Sequence, residues 1–551
     1  MGAAPTVLAS TTSFDMGLLV TLAFVAAFMV VGYRTSIPYP VLLVCGGAVL
    51  GFLPGLPAVE LNPDLVLVIF LPPLLYAAAF FSSLRDLRDN LKPISLLSIG
   101  LVITTTLVIA VVAHAVIDGM TWQAAFVLGA VLSPTDAVAA TAIAERLGAP
   151  RRFVTIVEGE SLVNDSTALI AYKFAVGAAV SGTFSIVEVG PRFLLDAGAG
   201  VGIGLAVGWA VARLRKPIDD APTEISISLV TPYFAYLPAE ALGVSAVLAA
   251  VTAGIYLGWH SPELITPATR IQIFAVWRVL TFVLNATLFV LVGLELPQAL
   301  DAVRDDLSAG QLALYGAAVS VAVIAVRFLW VLPATYLPRL LSRRAREGDP
   351  YLVWQGPFLV AWTGMRGAVS LAAALALPLR TDAGAPFPSR DLIIFLAYAA
   401  IFATLVLQGL TLPRLIRMIG VEDDGTEQQR EAKARIKAAR AALARLDELQ
   451  DEEWVREETL NRMRGLYDFR VRRFAARFDD GDDGEIEAGS QAYQRLRRLT
   501  LEAERGEVIR LRNQGRINDQ IMRRIEHDLD LEDTRLDNRD GAGPARAGET
   551  D

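Results

Sequence analysis

Long stretches without charge constrain this chain more than any other feature. Met16–Val31, Leu65–Phe81, Leu96–Val112, Phe193–Val211 and Val319–Leu332 each hold few or no ionised side chains. A helix needs about 20 mostly apolar residues to cross a hydrocarbon core of roughly 30 Å. With 54% of its 551 residues hydrophobic, the chain is more apolar than a soluble globular protein of this size. The fold class expected is an all-α polytopic membrane protein. The opening MGAAPTVLASTTSFD lacks the basic start of a signal peptide, so the first apolar block reads as a retained span.

Charge divides the chain in two. Residues 1–420 carry 25 Lys/Arg and 26 Asp/Glu, whereas 421–551 carry 25 and 32. A nearly neutral transmembrane domain, 1–420, is thus followed by a solvated, acidic helical tail, 421–551. The only cysteine is Cys45 and the histidines are His114, His260 and His527. That excludes an internal disulfide and any cysteine-based metal site. No Gly-Lys pair occurs, so there is no P-loop. An ATP-driven pump or hydrolase is set aside on these grounds, no nucleic-acid role is indicated, and no cofactor is expected.

About thirteen spans are placed at 16–33, 40–53, 64–82, 93–114, 122–144, 153–182, 193–212, 224–238, 243–259, 272–294, 310–337, 353–378 and 392–413. With the N-terminus outside, seventeen Lys/Arg fall on cytoplasmic ends and loops against four outside. This bias sets the orientation and puts the tail in the cytoplasm. Spans 1–6 and 8–13 then form two inverted six-helix repeats. The fifth member of each is interrupted, by Ser133–Asp136 (SPTD) and by Trp362–Gly367 (WTGMRG). Paired broken helices in inverted repeats point to a transporter's midplane binding site.

Charges deep in a bilayer are costly and mark function. The deep acids are Asp136, Glu158, Glu160 and Asp165, all in spans 5 and 6. Ser161 and Asp165 share one helix face, and Glu160 and Asn164 share another about 100° around. The break at Pro134 frees carbonyls near Thr135 and Asp136. Oxygen ligands of this kind suit a small hard cation. A carboxylate withdrawn from water disfavours its charged form, so it can hold a proton or a metal ion in turn. Asp165 is expected to be the shared carrier and Asp136 a second ligand. Arg366, beside the second break, is expected to neutralise a span-6 carboxylate, Glu160 first. Lys173, Arg278 and Arg327 are read as structural pairs or snorkelling side chains, with no role in transport.

Four stretches together resemble the bacterial branch of the cation:proton antiporter 1 family, which contains the sodium/proton exchangers. They are FLPPLLYAAAF (70–80), SPTDAVAATAI (133–143), EGESLVNDSTALI (158–170) and GMRGAVSLAAALALP (364–378). The resemblance runs over residues 15–420. It implies cation ligands at Thr135, Asp136, Ser161 and Asp165, with Glu160, Asn164 and Arg366 supporting the site. It also implies crossed broken helices, a homodimer in the plasma (inner) membrane, and electroneutral exchange of one sodium for one proton by alternating access. The Asn164–Asp165 pair carries the electroneutral reading. Lithium and potassium accept the same ligands as sodium. One departure is Ala77, where many members have an acidic residue.

Two rival transport readings are weaker. A channel has no need of paired breaks. An exporter of organic compounds needs a wider, aromatic cavity, whereas Ala, Val, Ser and Thr surround the acids. In the tail, Glu427–Glu458 and Leu499–His527 are expected to be helical, with DDGDDGE (479–485) and the end from Asp540 flexible. A regulatory role and a plain helical appendage fit the tail equally well.

Overall fold

A computed structural model describes residues 37–53, 63–182, 186–341, 354–420, 426–476 and 485–537. The expected span 16–33, the DDGD core of the acidic run and the C-terminal end lie outside the described residues. The chain divides into two compact units, Met1–Glu422 and Asp423–Asp551. Among the described residues every extended element is helical, with one isolated β-bridge between Arg380 and Pro386.

The first unit opens with α1 (Tyr39–Gly51), α2 (Pro63–Phe81), the short α3 (Leu84–Asp89) and α4 (Leu91–Val116). There follow α5 (Trp122–Val131), α6 (Ala137–Arg146), α7 (Arg151–Ser181) and α8 (Ile186–Arg215). Next come α9 (Ala221–Ala241), α10 (Ala246–Leu264), α11 (Pro267–Leu294) and α12 (Leu296–Asp301). The last are α13 (Ala309–Leu341), α14 (Gln355–Trp362), α15 (Ala368–Leu375) and α16 (Arg390–Ile419). Among the described residues five stretches are long and apolar enough to cross a bilayer: α4, most of α8, α11 with α12, most of α13, and α16. Leu194, Trp209, Phe234, Ile271 and Leu329 stand exposed on helix exteriors. In water such a surface would aggregate; against lipid tails it is matched.

Lipid removes the hydrophobic drive between helices, so close packing must supply it. Small residues at four-residue spacing do so here. Gly254 and Gly258 of α10 lie so close to the backbone of α2 that a Cβ at either would overlap the carbonyl of Tyr76 or Phe80. Gly200 and Gly204 of α8 meet the carbonyls of Ser245 and Ala249 in the same way. These contacts join α2, α8 and α10 into one block. A larger apolar core unites α5, α6, α7, α13 and α16 around the helix breaks.

One irregularity fixes the register of α13. Leu96–Leu101 within α4 is a π-helical turn, which leaves backbone groups out of the ordinary ladder. The freed Leu96 carbonyl accepts the Trp330 indole N–H at 3.0 Å, and the Trp330 ring fills the space over Gly100. Trp330 lies one turn from Arg327, so this anchor also aims Arg327 inward.

The second unit consists of α17 (Thr426–Leu449), α18 (Glu457–Ala476), α19 (Glu485–Asn513) and α20 (Asp519–Asp537). Arg464 of α18 reaches Asp447 of α17 at 2.6 Å. Leu501, Leu529 and Leu536 form the seam of α19 and α20, flanked by Arg497–Glu532 and Arg505–Asp530 pairs, both 2.7 Å. The two helical stretches expected in the tail, Glu427–Glu458 and Leu499–His527, are each interrupted. The first ends at Leu449. The second is cut by Gly515, whose φ of 69° makes a left-handed turn, and restarts where Asn518 caps the Ile521 N–H at 2.8 Å.

Candidate cation site at the meeting of two broken helices

The first break is written in its residues. Helix α5 stops at Val131, and Pro134 has no N–H with which to continue it. Asp136 then starts α6 as an N-cap, its Oδ1 accepting the Val138 N–H at 2.8 Å. The second break spans Thr363–Gly367, between α14 and α15. There Thr363 N–H still closes onto the Leu359 carbonyl at 3.0 Å, while Gly364 N–H turns back to Trp362 at 3.0 Å.

The two breaks touch through the backbone. Asp136 N–H donates to the Met365 carbonyl at 2.8 Å. Arg366 Nη1 donates to the carbonyls of Ser133 and Pro134 at 2.8 and 3.0 Å. Gly367 makes this approach possible, because a Cβ there would overlap the Asp136 carboxylate. The peptide groups that each helix loses at its break are therefore satisfied by the other, as buried backbone requires.

Helix α7 passes the break unbroken. Its 31 residues span about 46 Å at 1.5 Å per residue. One face is bonded to Thr135. Ser161 Oγ donates to the Thr135 carbonyl at 3.1 Å, and Asn164 Nδ2 donates to Thr135 Oγ1 at 2.5 Å. Thr135 Oγ1 in turn donates to Glu160 Oε1 at 2.9 Å. Glu160 thus bonds the broken segment through Thr135.

The expected partner of Glu160 requires correction. Arg327 of α13, not Arg366, neutralises it. Arg327 Nη1 and Nη2 donate to the two Glu160 oxygens at 2.5 and 2.7 Å, and Nε donates to the Val360 carbonyl at 3.0 Å. This forked pairing matches guanidinium to carboxylate geometry. Arg366 is committed instead to the two carbonyls of the first break. The sequence marks Arg327 as a deep base, but the pair spans 167 positions, which no local periodicity encodes. Lys173 and Arg278 lie exposed on helix exteriors, in keeping with snorkelling. Glu158 is half-buried and within electrostatic range of Glu145 and Arg151.

Asp165 stands apart from this network. It is 5% exposed, and no described residue donates a hydrogen bond to it or forms an ion pair with it. The half-buried Asp136 is near enough for its charge to act on Asp165. Two facing carboxylates without a cation between them cannot both stay charged cheaply. A proton or a small cation relieves the repulsion, and the Thr135 and Ser161 oxygens lie at the same crossing. The described residues contain no cluster of three or more His, Cys, Asp or Glu suited to a bound metal ion.

Similarity to known proteins agrees with this geometry. The profile of the family described as sodium/hydrogen exchanger, transmembrane, matches residues 19–418. An uncharacterised Na+/H+ exchanger of Mycobacterium tuberculosis is 37% identical over 528 residues, 94% of this chain and 96% of that protein. The Na+/H+ antiporter ApNhaP of Aphanothece halophytica is 32% identical, with 79% of each chain covered. A sodium, potassium, lithium and rubidium/H+ antiporter of Bacillus pumilus is 33% identical over 80% of this chain and 66% of its own. Among solved structures, the sodium proton antiporter MjNhaP1 of Methanocaldococcus jannaschii at pH 8 superposes with a TM-score of 0.54 at 16% identity. It covers 73% of this chain and 98% of its own, and it bears on the fold alone. Profile, relatives and architecture converge: the chain belongs to the transmembrane sodium/hydrogen exchanger family, whose members are secondary transporters and not enzymes.

Proposed function

We propose that the sodium-for-proton exchange of this family runs in this chain through Asp165 as the shared carrier, with Asp136, Thr135 and Ser161 as further oxygen ligands. The carrying observation is that Asp165 is buried, unpaired and within electrostatic range of Asp136, while the other buried carboxylate of the site, Glu160, is fully engaged. Glu160, Asn164 and Arg366 hold the ligands in place. A named Bacillus relative acts on sodium, potassium, lithium and rubidium, so lithium and potassium belong among the candidate substrates.

The charges support a ratio of one cation to one proton. Glu160 is balanced by Arg327, and Asn164 is neutral, its Nδ2 donating to Thr135. That leaves Asp165 and Asp136; Asp136 is held as the N-cap of α6 by the Val138 N–H, so Asp165 is read as the carboxylate that changes occupancy in a cycle. Alternating access by two inverted six-helix units about this crossing, as a homodimer in the plasma (inner) membrane, completes the reading. The positive-inside bias favours an outside N-terminus and a cytoplasmic second unit.

The test is proton flux in everted vesicles on addition of sodium, lithium or potassium, comparing the parent chain with Asp165→Asn. Exchange should disappear in the variant at equal protein amount. Parental rates in Asp165→Asn would remove the carrier assignment. Flux that responds to a clamped membrane voltage would remove the one-to-one ratio.

A further inference from the structure

Gln408 of α16 is a buried amide that the site as described does not use. It is 0% exposed, and neither Oε1 nor Nε2 has a hydrogen-bond partner among the described residues. Buried amides are rarely left so, because both ends forfeit their hydration without return.

Its surroundings are fixed by its neighbours on the helix. Thr404, Gln408 and Thr411 occupy positions i, i+4 and i+7 and share one face. Thr404 Oγ1 accepts the Arg366 peptide N–H at 3.2 Å, and Thr411 Oγ1 accepts the Trp362 indole N–H at 3.1 Å. Gln408 is therefore aimed between them, at the unwound segment of the second break. Arg366, whose peptide N–H bonds Thr404 one turn from Gln408, likewise has a buried Nε without a partner. The orphaned atoms are two donors and one acceptor. Water can satisfy both kinds at once, whereas a cation would meet the Arg366 guanidinium.

We propose that a buried water joins the Gln408 amide to Arg366 Nε, which makes Gln408 a positioning residue for the cation site. The same guanidinium holds the Ser133 and Pro134 carbonyls, the two residues directly before Thr135 and Asp136. Losing the water lets Arg366 turn, and the ligand geometry loosens with it. The inference rests on the cation site proposed above.

The test uses the full chain. In everted vesicles normalised for protein amount, Gln408→Leu should raise the apparent KM for sodium about fivefold, the scale of one lost hydrogen bond, with the maximal rate held. A purely structural role would lower protein amount and rate and leave KM alone. In parallel, X-ray hydroxyl-radical labelling, which marks side chains beside bound water, should modify Trp362 and Met365 in the parent and less so in Gln408→Leu. An unchanged KM, or no labelling of either residue in the parent, overturns the proposal. Should Gln408→Leu fail to reach the membrane, labelling of the parent decides alone. A parent that moves no protons on sodium addition would sink the exchange reading and this inference with it; normal exchange with an unchanged KM in Gln408→Leu sinks only the latter.

Discussion

The peptide N–H of Asp136 donates to the carbonyl of Met365 at 2.8 Å, so two helix breaks 229 residues apart are joined backbone to backbone. The residue that begins α6 is thereby also bonded to the other broken helix. Movement of either break must carry Asp136 with it.

The Glu160–Arg327 pair is nearly inaccessible to solvent, at 2% and 1% side-chain exposure. Removing one partner strands the other charge, which typically costs roughly 3–5 kcal/mol, whereas replacing both by apolar groups costs far less. Arg327→Met alone should therefore lower the detergent melting temperature sharply, and the Glu160→Leu/Arg327→Met double variant should recover much of the loss. Fluorescence-detected size exclusion after a heat ramp would measure both.

Gly367 and Gly364 should respond differently to a methyl group. At Gly367 the Cβ meets the Asp136 carboxylate, whose position is set by its cap bond and by Met365; at Gly364 it meets Cδ of Arg327, whose guanidinium is held by Glu160 and the Val360 carbonyl. The Gly367 backbone, φ −139° and ψ −154°, is extended and open to alanine, so crowding is the whole effect. Overpacking of this kind costs about 1–3 kcal/mol. Gly367→Ala should abolish sodium-driven proton flux while the protein is still made, and Gly364→Ala, which displaces a side chain of the buried Glu160–Arg327 pair, should lower the amount of folded protein as well as the flux.

Thr135 is both donor and acceptor. Thr135→Ser keeps the hydroxyl that bonds Glu160 and Asn164; Thr135→Val keeps the shape and loses both bonds. Each buried partner left unsatisfied costs about 1–3 kcal/mol. In sodium titrations of vesicle flux, the serine variant should stay near the parent KM and the valine variant should show a KM raised by about tenfold or more.

The family match, residues 19–418, lies wholly inside the first compact unit. A chain ending at Glu422 should therefore still exchange sodium for protons in vesicles, with any change confined to regulation. Complete loss of flux with normal membrane insertion would show that the second unit is required for turnover.

Much of the membrane unit is legible in the sequence because lipid enforces a simple grammar. Uncharged runs must be helices, Pro134 must break one, and a carboxylate such as Asp165 within an apolar run must have a use. The helical character, the two breaks and the two acids Asp136 and Asp165 follow from composition and spacing, and the family resemblance adds Thr135 and Ser161 as candidate ligands. Their assembly does not. That Glu160 belongs to Arg327, that Arg366 turns to the Ser133 and Pro134 carbonyls, and that Gln408 faces the second break depend on helices meeting across long stretches of chain. Local periodicity states which face of a helix a residue occupies. Only close packing, held by glycines such as Gly367 and by the Trp330 bond to Leu96, decides what that face meets.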